Sequence, residues 1–260
     1  MNKTQTTERQ AKIRLQLANM AANYQLYARR MERPFEHKPP RRTDYNLFVQ
    51  ANYGRNAVFL KQGQVYAGAC VLAPYQFTRG SLPSIVCEVN ANGVLRSDLS
   101  LGQLVITELT TIADFSQALV ENNPDWREGD ELHFFHALQV TDTYTEIPRA
   151  RMNSFHLVLD TTDTELLYNI VSAVGFASVN ENENENKLGM NCQLVNAGAA
   201  WVHSRKRADS TLRVSTQWLH VVSSILASYQ SDDAFTAAAE SYGAVTTNPV
   251  YLNAESTEEV

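Results

Sequence analysis

Between Asn56 and Val222 the apolar residues arrive in runs too short for helices, and this limits the fold more than any other feature. The runs NAVFL (56–60), QVYAGACVL (64–72), SIVCEV (84–89), ELHFFHALQV (131–140), SFHLVLD (154–160), AAWVHSR (199–205) and LRVSTQWLHVV (212–222) are rich in β-branched and aromatic residues. Gly, Pro, Asn and charged turns separate them. NANG at 90–93 adds a hairpin signal, because Gly93 can take a positive φ. The low-complexity stretch NENENEN (180–186) reads as an exposed hairpin tip, and KRADS (206–210) as a polar turn. Helical spacing occurs only around and between these runs. The expectation is an α+β fold with a sandwich-like β core, an N-terminal amphipathic helix and inserted helices.

The N-terminal pattern predicts a helix over 7–32. Ile13, Leu17, Met20, Tyr24, Tyr27 and Met31 step by four and three, which lines one helix face. Thr7 and Gln10 have capping-box spacing, and Pro34, Pro39 and Pro40 enforce an extended link. A short helix is expected near 44–53, with Leu47, Phe48 and Ala51 on one side. Helical spacing also covers 101–122 (Leu101, Leu104, Leu109, Ile112, Phe115, Leu119), as one helix or as two split at a break near Thr110–Thr111, and further helices are expected at TELLYNIV (164–171) and over 232–242, capped by Ser231. The division expected is a basic helical arm and linker over 1–42, then a β-rich domain over 43–260.

Charge sharpens that division. Residues 1–42 hold ten Lys or Arg against three acids, a net +7, in a chain whose total is −6. No Lys or Arg follows Arg213. A basic start and an acidic end suit contact between copies or with an acidic partner. The interface candidates are therefore Ile13, Leu17, Met20, Tyr24, Tyr27 and Met31 for the apolar stripe. Arg29, Arg30, Arg33, Arg41 and Arg42 supply the charge. An apolar stripe on a helix needs a cover, supplied by its own domain or by a neighbouring subunit.

Motifs for chemistry are sparse. Cys70, Cys87 and Cys192 form no CxxC pair and read as small packed hydrophobes in a reducing setting. His133 and His136 lie three apart in an expected strand, so they point to opposite faces and cannot share a metal. His156, His203 and His220 stand alone in apolar surroundings. Asp160, Asp163 and Glu165 read as caps for the following helix. TRGSLPS (78–84) lacks a nucleophile elbow, and no phosphate-binding glycine loop occurs. These readings point to no enzyme, no cofactor and no metal. No apolar run approaches the length of a membrane span.

Three stretches carry a resemblance. ERQAKIRLQLANMAANYQLYARR (8–30), then TDYNLFVQANYGRNAVFL (43–60) and FTRGSLPSI (77–85), resemble an uncharacterised family of Bacteroidales proteins, the domain of unknown function 6266. Tyr45, Asn46, Asn52, Asn56, Ala57, Val58, Arg79, Gly80, Ser81, Leu82 and Pro83 follow the family's order. Thr78 replaces its usual Ser, its Gly-rich opening is missing, and 101–122 looks inserted. GDELHFFHALQ and AAWVHSRKRADSTLRVSTQWL look like its terminal sandwich strands. The resemblance implies a phage or prophage component, crAss-like phages included. It would be made in the bacterial cytoplasm and built into a virion as a ring, connector or tail part, with itself and other virion proteins as partners. It implies no catalytic residue, and Arg79 and Ser81 would set the fold. Two rival expectations come from the residues. One is a glycan or host-surface module using Tyr144 and Trp126. The other is DNA contact through the basic arm.

Overall fold

A computed structural model describes residues 8–171, 173–182 and 185–243. The chain opens with α1 (Glu8–Tyr27), α2 (Asp44–Asn52) and α3 (Gln62–Tyr66). β1 (Gln76–Thr78), β2 (Cys87–Val89), β3 (Val94–Gly102) and α4 (Ile112–Asn122) follow. The centre is a long hairpin, β4 (Glu131–Thr141) with β5 (Pro148–Val158), then α5 (Leu167–Ile170). β6 (Ala177–Asn182), β7 (Glu185–Gln193), β8 (Ala197–Lys206), β9 (Leu212–Val214), β10 (Gln217–Trp218), β11 (His220–Val222) and α6 (Asp232–Ser241) complete it.

These strands make the expected α+β fold with sandwich-like sheets. One sheet runs β11-β8-β4-β5, with β9 also on β8; a second runs β2-β3-β7-β6, and β1 pairs with β10 in a third, two-stranded one. Alternation along β4 decides what each face meets. Leu132 and Phe134, with Trp201, Ala197 and Ala199 of β8, bury a core against Leu95, Leu101, Leu188 and Met190 of the second sheet. Phe135 and Ala137, with Ala200 and Val202, face the opposite way and bury a second core with Met20, Tyr27, Phe48 and Tyr75. The first sheet is thus covered on both sides, which explains the near-continuous apolar reading of ELHFFHALQ.

Several expectations change. Helix α1 ends at Tyr27, before the prolines, through a turn in which Arg29 and Arg33 take φ of 67° and 50°. Thr7, its expected cap residue, lies outside the described residues. Residues 101–122 break at Thr110–Thr111, as one of the two expectations had it, but the part before the break is not a helix. Leu101 belongs to β3, 103–111 is irregular, and only α4 is helical, with Thr111 and Asp114 forming its capping box. NAVFL and QVYAGACVL form no strands, yet Val58, Leu60, Val71 and Leu72 are fully buried. Glu165 and Thr162 donate backbone N–H bonds to Asp163 and Asp160, so these acids close their own turns, while α5 has no side-chain cap.

Side-chain amides replace a partner strand for that buried segment. Asn19 Nδ2 donates to Val71 O (2.8 Å), and Val71 N–H donates to Asn19 Oδ1 (2.9 Å). Asn52 repeats the pairing on Gln76, and Gln139 accepts from Leu72 N–H (2.6 Å) while donating to Cys70 O (3.0 Å). An unpaired buried peptide group costs about 1–3 kcal/mol, so these amides make the irregular core affordable. The buried face of α1 is therefore Leu15, Asn19, Met20, Asn23 and Tyr27, rotated from the expected stripe.

Residues 1–42 do not form a separate unit as far as they are described. Helix α1 packs on α2, α6 and β5, and Phe35 bridges to Arg79. Ser81 donates from its backbone N–H (2.7 Å) and its hydroxyl (2.9 Å) to the Glu36 carboxylate. A Cβ on Gly80 would lie 2.1 Å from Val214 O, so only glycine lets the strap and β9 approach. Arg79-Gly80-Ser81 thus ties the N-terminal strap to the sheet.

Candidate functional site

The same sheet carries two clusters of ionisable side chains, back to back at one end of β4. Adjacent residues Asp130 and Glu131 begin them on opposite faces, because a strand alternates. Neither cluster was expected from the sequence.

Behind the sheet, Asp130 is 1% exposed. Arg205 donates to both its oxygens (2.6 Å each), and His203 Nε2 lies 2.8 Å from Oδ2. Arg127 N–H adds a fourth contact at 3.0 Å. Burial pushes the Asp130 carboxyl up, but Arg205 and His203 outweigh it and hold it below the usual carboxylate range. Trp126 stacks on His203 with ring centroids 3.8 Å apart. Every acceptor is occupied and an indole closes the group, so it is a structural tie. Trp126 is 5% exposed, which removes it as a glycan-binding aromatic. Tyr144, by contrast, is 97% exposed.

On the front face, Glu131 and His133 sit two apart on β4 and share a side. Register places His156 of β5 directly opposite His133. Their rings stack with centroids 4.6 Å apart. His133 Nε2 and His156 Nε2 each lie 3.4 Å from Glu131 Oε2. One ligand atom from each of the three falls within 4.8 Å of the others. The imidazoles hold the Glu131 carboxyl well below the usual range, while burial pushes His133 down. Ser204 Oγ reaches His133 Nε2 (2.9 Å) and donates to Glu131 Oε2 (2.9 Å). A nucleophilic triad needs the acid on the far ring nitrogen, and here Ser204 and Glu131 meet the same one.

A cavity of about 230 Å³ opens over this group, lined by Arg29, Arg30, Met31, Glu32 and Lys206 besides the cluster. Three expected interface residues therefore meet the site, by way of the turn that ends α1. Arg30 is anchored there, donating to Leu26 O (2.7 Å) and Ser154 Oγ (3.3 Å). His136, on the opposite face, takes no part, as its spacing required. The missed signal was Glu-x-His at strand spacing in ELHFF, which needs only a partner strand to bring a third ligand.

The other expected interface residues are scattered. Met20 and Tyr27 are buried within the chain, and Leu17 and Tyr24 pack half-buried on the same core. Ile13 is 39% exposed, and Arg33, Arg41 and Arg42 are exposed. The stripe thus finds its cover in cis, much of it from 58–77 and α2. Cys70 is buried, and burial pushes its thiol up to about 12, in keeping with a packed hydrophobe.

A second surface has a different character. Ile106, Leu167, Val171 and Phe176 line a cavity of about 210 Å³ beside α5. Around it Leu109 is 80% exposed, Tyr168 57%, with Val105 and Ile170 also exposed. No helix among the described residues is long and apolar enough to cross a membrane. No family model, curated protein or solved structure matches the chain.

Proposed function

We propose that this chain is a non-catalytic structural subunit that assembles with copies of itself, as a virion ring, connector or tail component would. The supporting observation is the apolar surface around Leu109 and Tyr168. Solvent-facing Leu, Ile, Val and Tyr side chains gathered about one apolar cavity favour a protein partner over water. The resemblance over residues 8–30, 43–60 and 77–85 points to the same class of protein. Helix α1 is not the docking element in this reading, because its apolar residues already serve the monomer core.

The partner taken for this surface is a second copy of the chain. Its charge halves, a net +7 over residues 1–42 and an acidic remainder, favour contact between unlike regions of two copies. Size-exclusion chromatography with light scattering tests the reading. The wild type should elute as an oligomer at tens of micromolar, and Leu109→Asp with Tyr168→Asp should make it monomeric with unchanged circular dichroism. A wild type monomeric at high concentration, or an oligomer indifferent to both substitutions, overturns it.

A further inference from the structure

Glu131, His133 and His156 have the makings of a metal site. Zinc–nitrogen and zinc–oxygen bonds of 2.0–2.2 Å at tetrahedral angles place ligand atoms about 3.3–3.6 Å apart. Both imidazole Nε2 atoms stand 3.4 Å from Glu131 Oε2, which is that spacing and is long for a hydrogen bond. The donors are set on two paired strands, Glu131 and His133 by alternation and His156 by register, so the backbone gathers them and the stacked imidazoles have only to turn their planes toward a shared ion. Ser204 would keep its hydrogen bond to the Glu131 carboxylate and orient it as an outer-shell partner.

We propose that Glu131, His133 and His156 bind one divalent transition-metal ion of the Zn²⁺ type. Two imidazoles select such borderline ions over Mg²⁺ and Ca²⁺, which want oxygen. The side chain of His156 is 49% exposed and that of His133 8%, so the ion enters from the His156 side. The cavity above leaves the remaining coordination position open towards the Arg29–Glu32 turn. Arg29, Arg30 and Lys206 on that wall oppose a bare cation and favour an anionic oxygen, such as hydroxide or a carboxylate, at the open position. The inference stands apart from the assembly reading, since a monomer could hold the ion equally well.

Equilibrium dialysis of the tag-free, chelator-stripped full chain against Zn²⁺, with metal measured by mass spectrometry, is the test. The wild type should take up one ion per chain. His156→Ala and Glu131→Gln should each weaken binding more than about tenfold. His136→Ala, on the other face, should leave it unchanged. Because His156 is half-exposed, its variant should fold, and Zn²⁺ should raise the melting temperature of the wild type but not of His156→Ala. Uptake well below one ion, or His156→Ala binding as tightly as the wild type, overturns the proposal.

Discussion

Asp130 and Glu131 are neighbours in sequence and opposites in environment. Asp130 meets a guanidinium, an imidazole and a backbone N–H at hydrogen-bonding distances, under an indole. Glu131 meets two imidazoles at 3.4 Å beneath an open cavity, with Ser204 at 2.9 Å. A carboxylate whose acceptors are all occupied by fixed donors, a guanidinium among them, is a tie and has no capacity left for a ligand. A carboxylate beside two imidazole nitrogens, held at 3.4 Å beneath an open cavity, keeps that capacity. Residue type alone does not separate the two, since each group is an acid with histidine. The third partner does: arginine closes the first cluster, and a second histidine leaves the other open.

Substitutions can break or sharpen that contrast. Asp130→Ala leaves Arg205 and His203 without their carboxylate and should cost about 3–5 kcal/mol in denaturant unfolding. If the loss stays under about 1 kcal/mol, the closed cluster is not a tie. The gap between wild type and Asp130→Ala should also depend on pH. The folded carboxyl titrates below its unfolded value of about 3.9, so its contribution is full above that pH and fades as pH falls through the folded value. The gap should therefore hold steady from pH 8 to about 5 and narrow in stronger acid. A gap that instead widened on acidification would mean that the shift has the opposite sign.

The open cluster should respond less. Glu131→Gln, with metal removed, should cost about 1 kcal/mol, because Ser204 can still donate to the amide oxygen. The smallest effect belongs to His156→Ala, within about 0.5 kcal/mol in metal-free buffer, as at other exposed positions. A large loss at His156 without metal would erase the distinction between the two clusters.

The strand runs were legible because their period is local. ELHFFHALQV, SFHLVLD and AAWVHSR became β4, β5 and β8, and Ser231 caps α6 as its type and place indicated. Three of the errors share a cause. Asn19 and Asn23 look solvent-facing by polarity, yet they are fully buried because Val71 needs their amides, and this turned the expected face of α1. NAVFL and QVYAGACVL look like strands but have no neighbour to pair with. Leu101 and Leu104 fit a helical spacing that β3 and an irregular connection override.

The sequence by itself determined an α+β chain with a sandwich-like core, a helix at its start and a glycine between Arg79 and Ser81, since periodicity and backbone freedom are properties of a few adjacent residues. Only the tertiary structure decided that β4 would lie between two cores, that α1 would be covered by its own chain, and that His156 would face His133. Strand register joins residues far apart in sequence, and no local pattern carries the position of the partner.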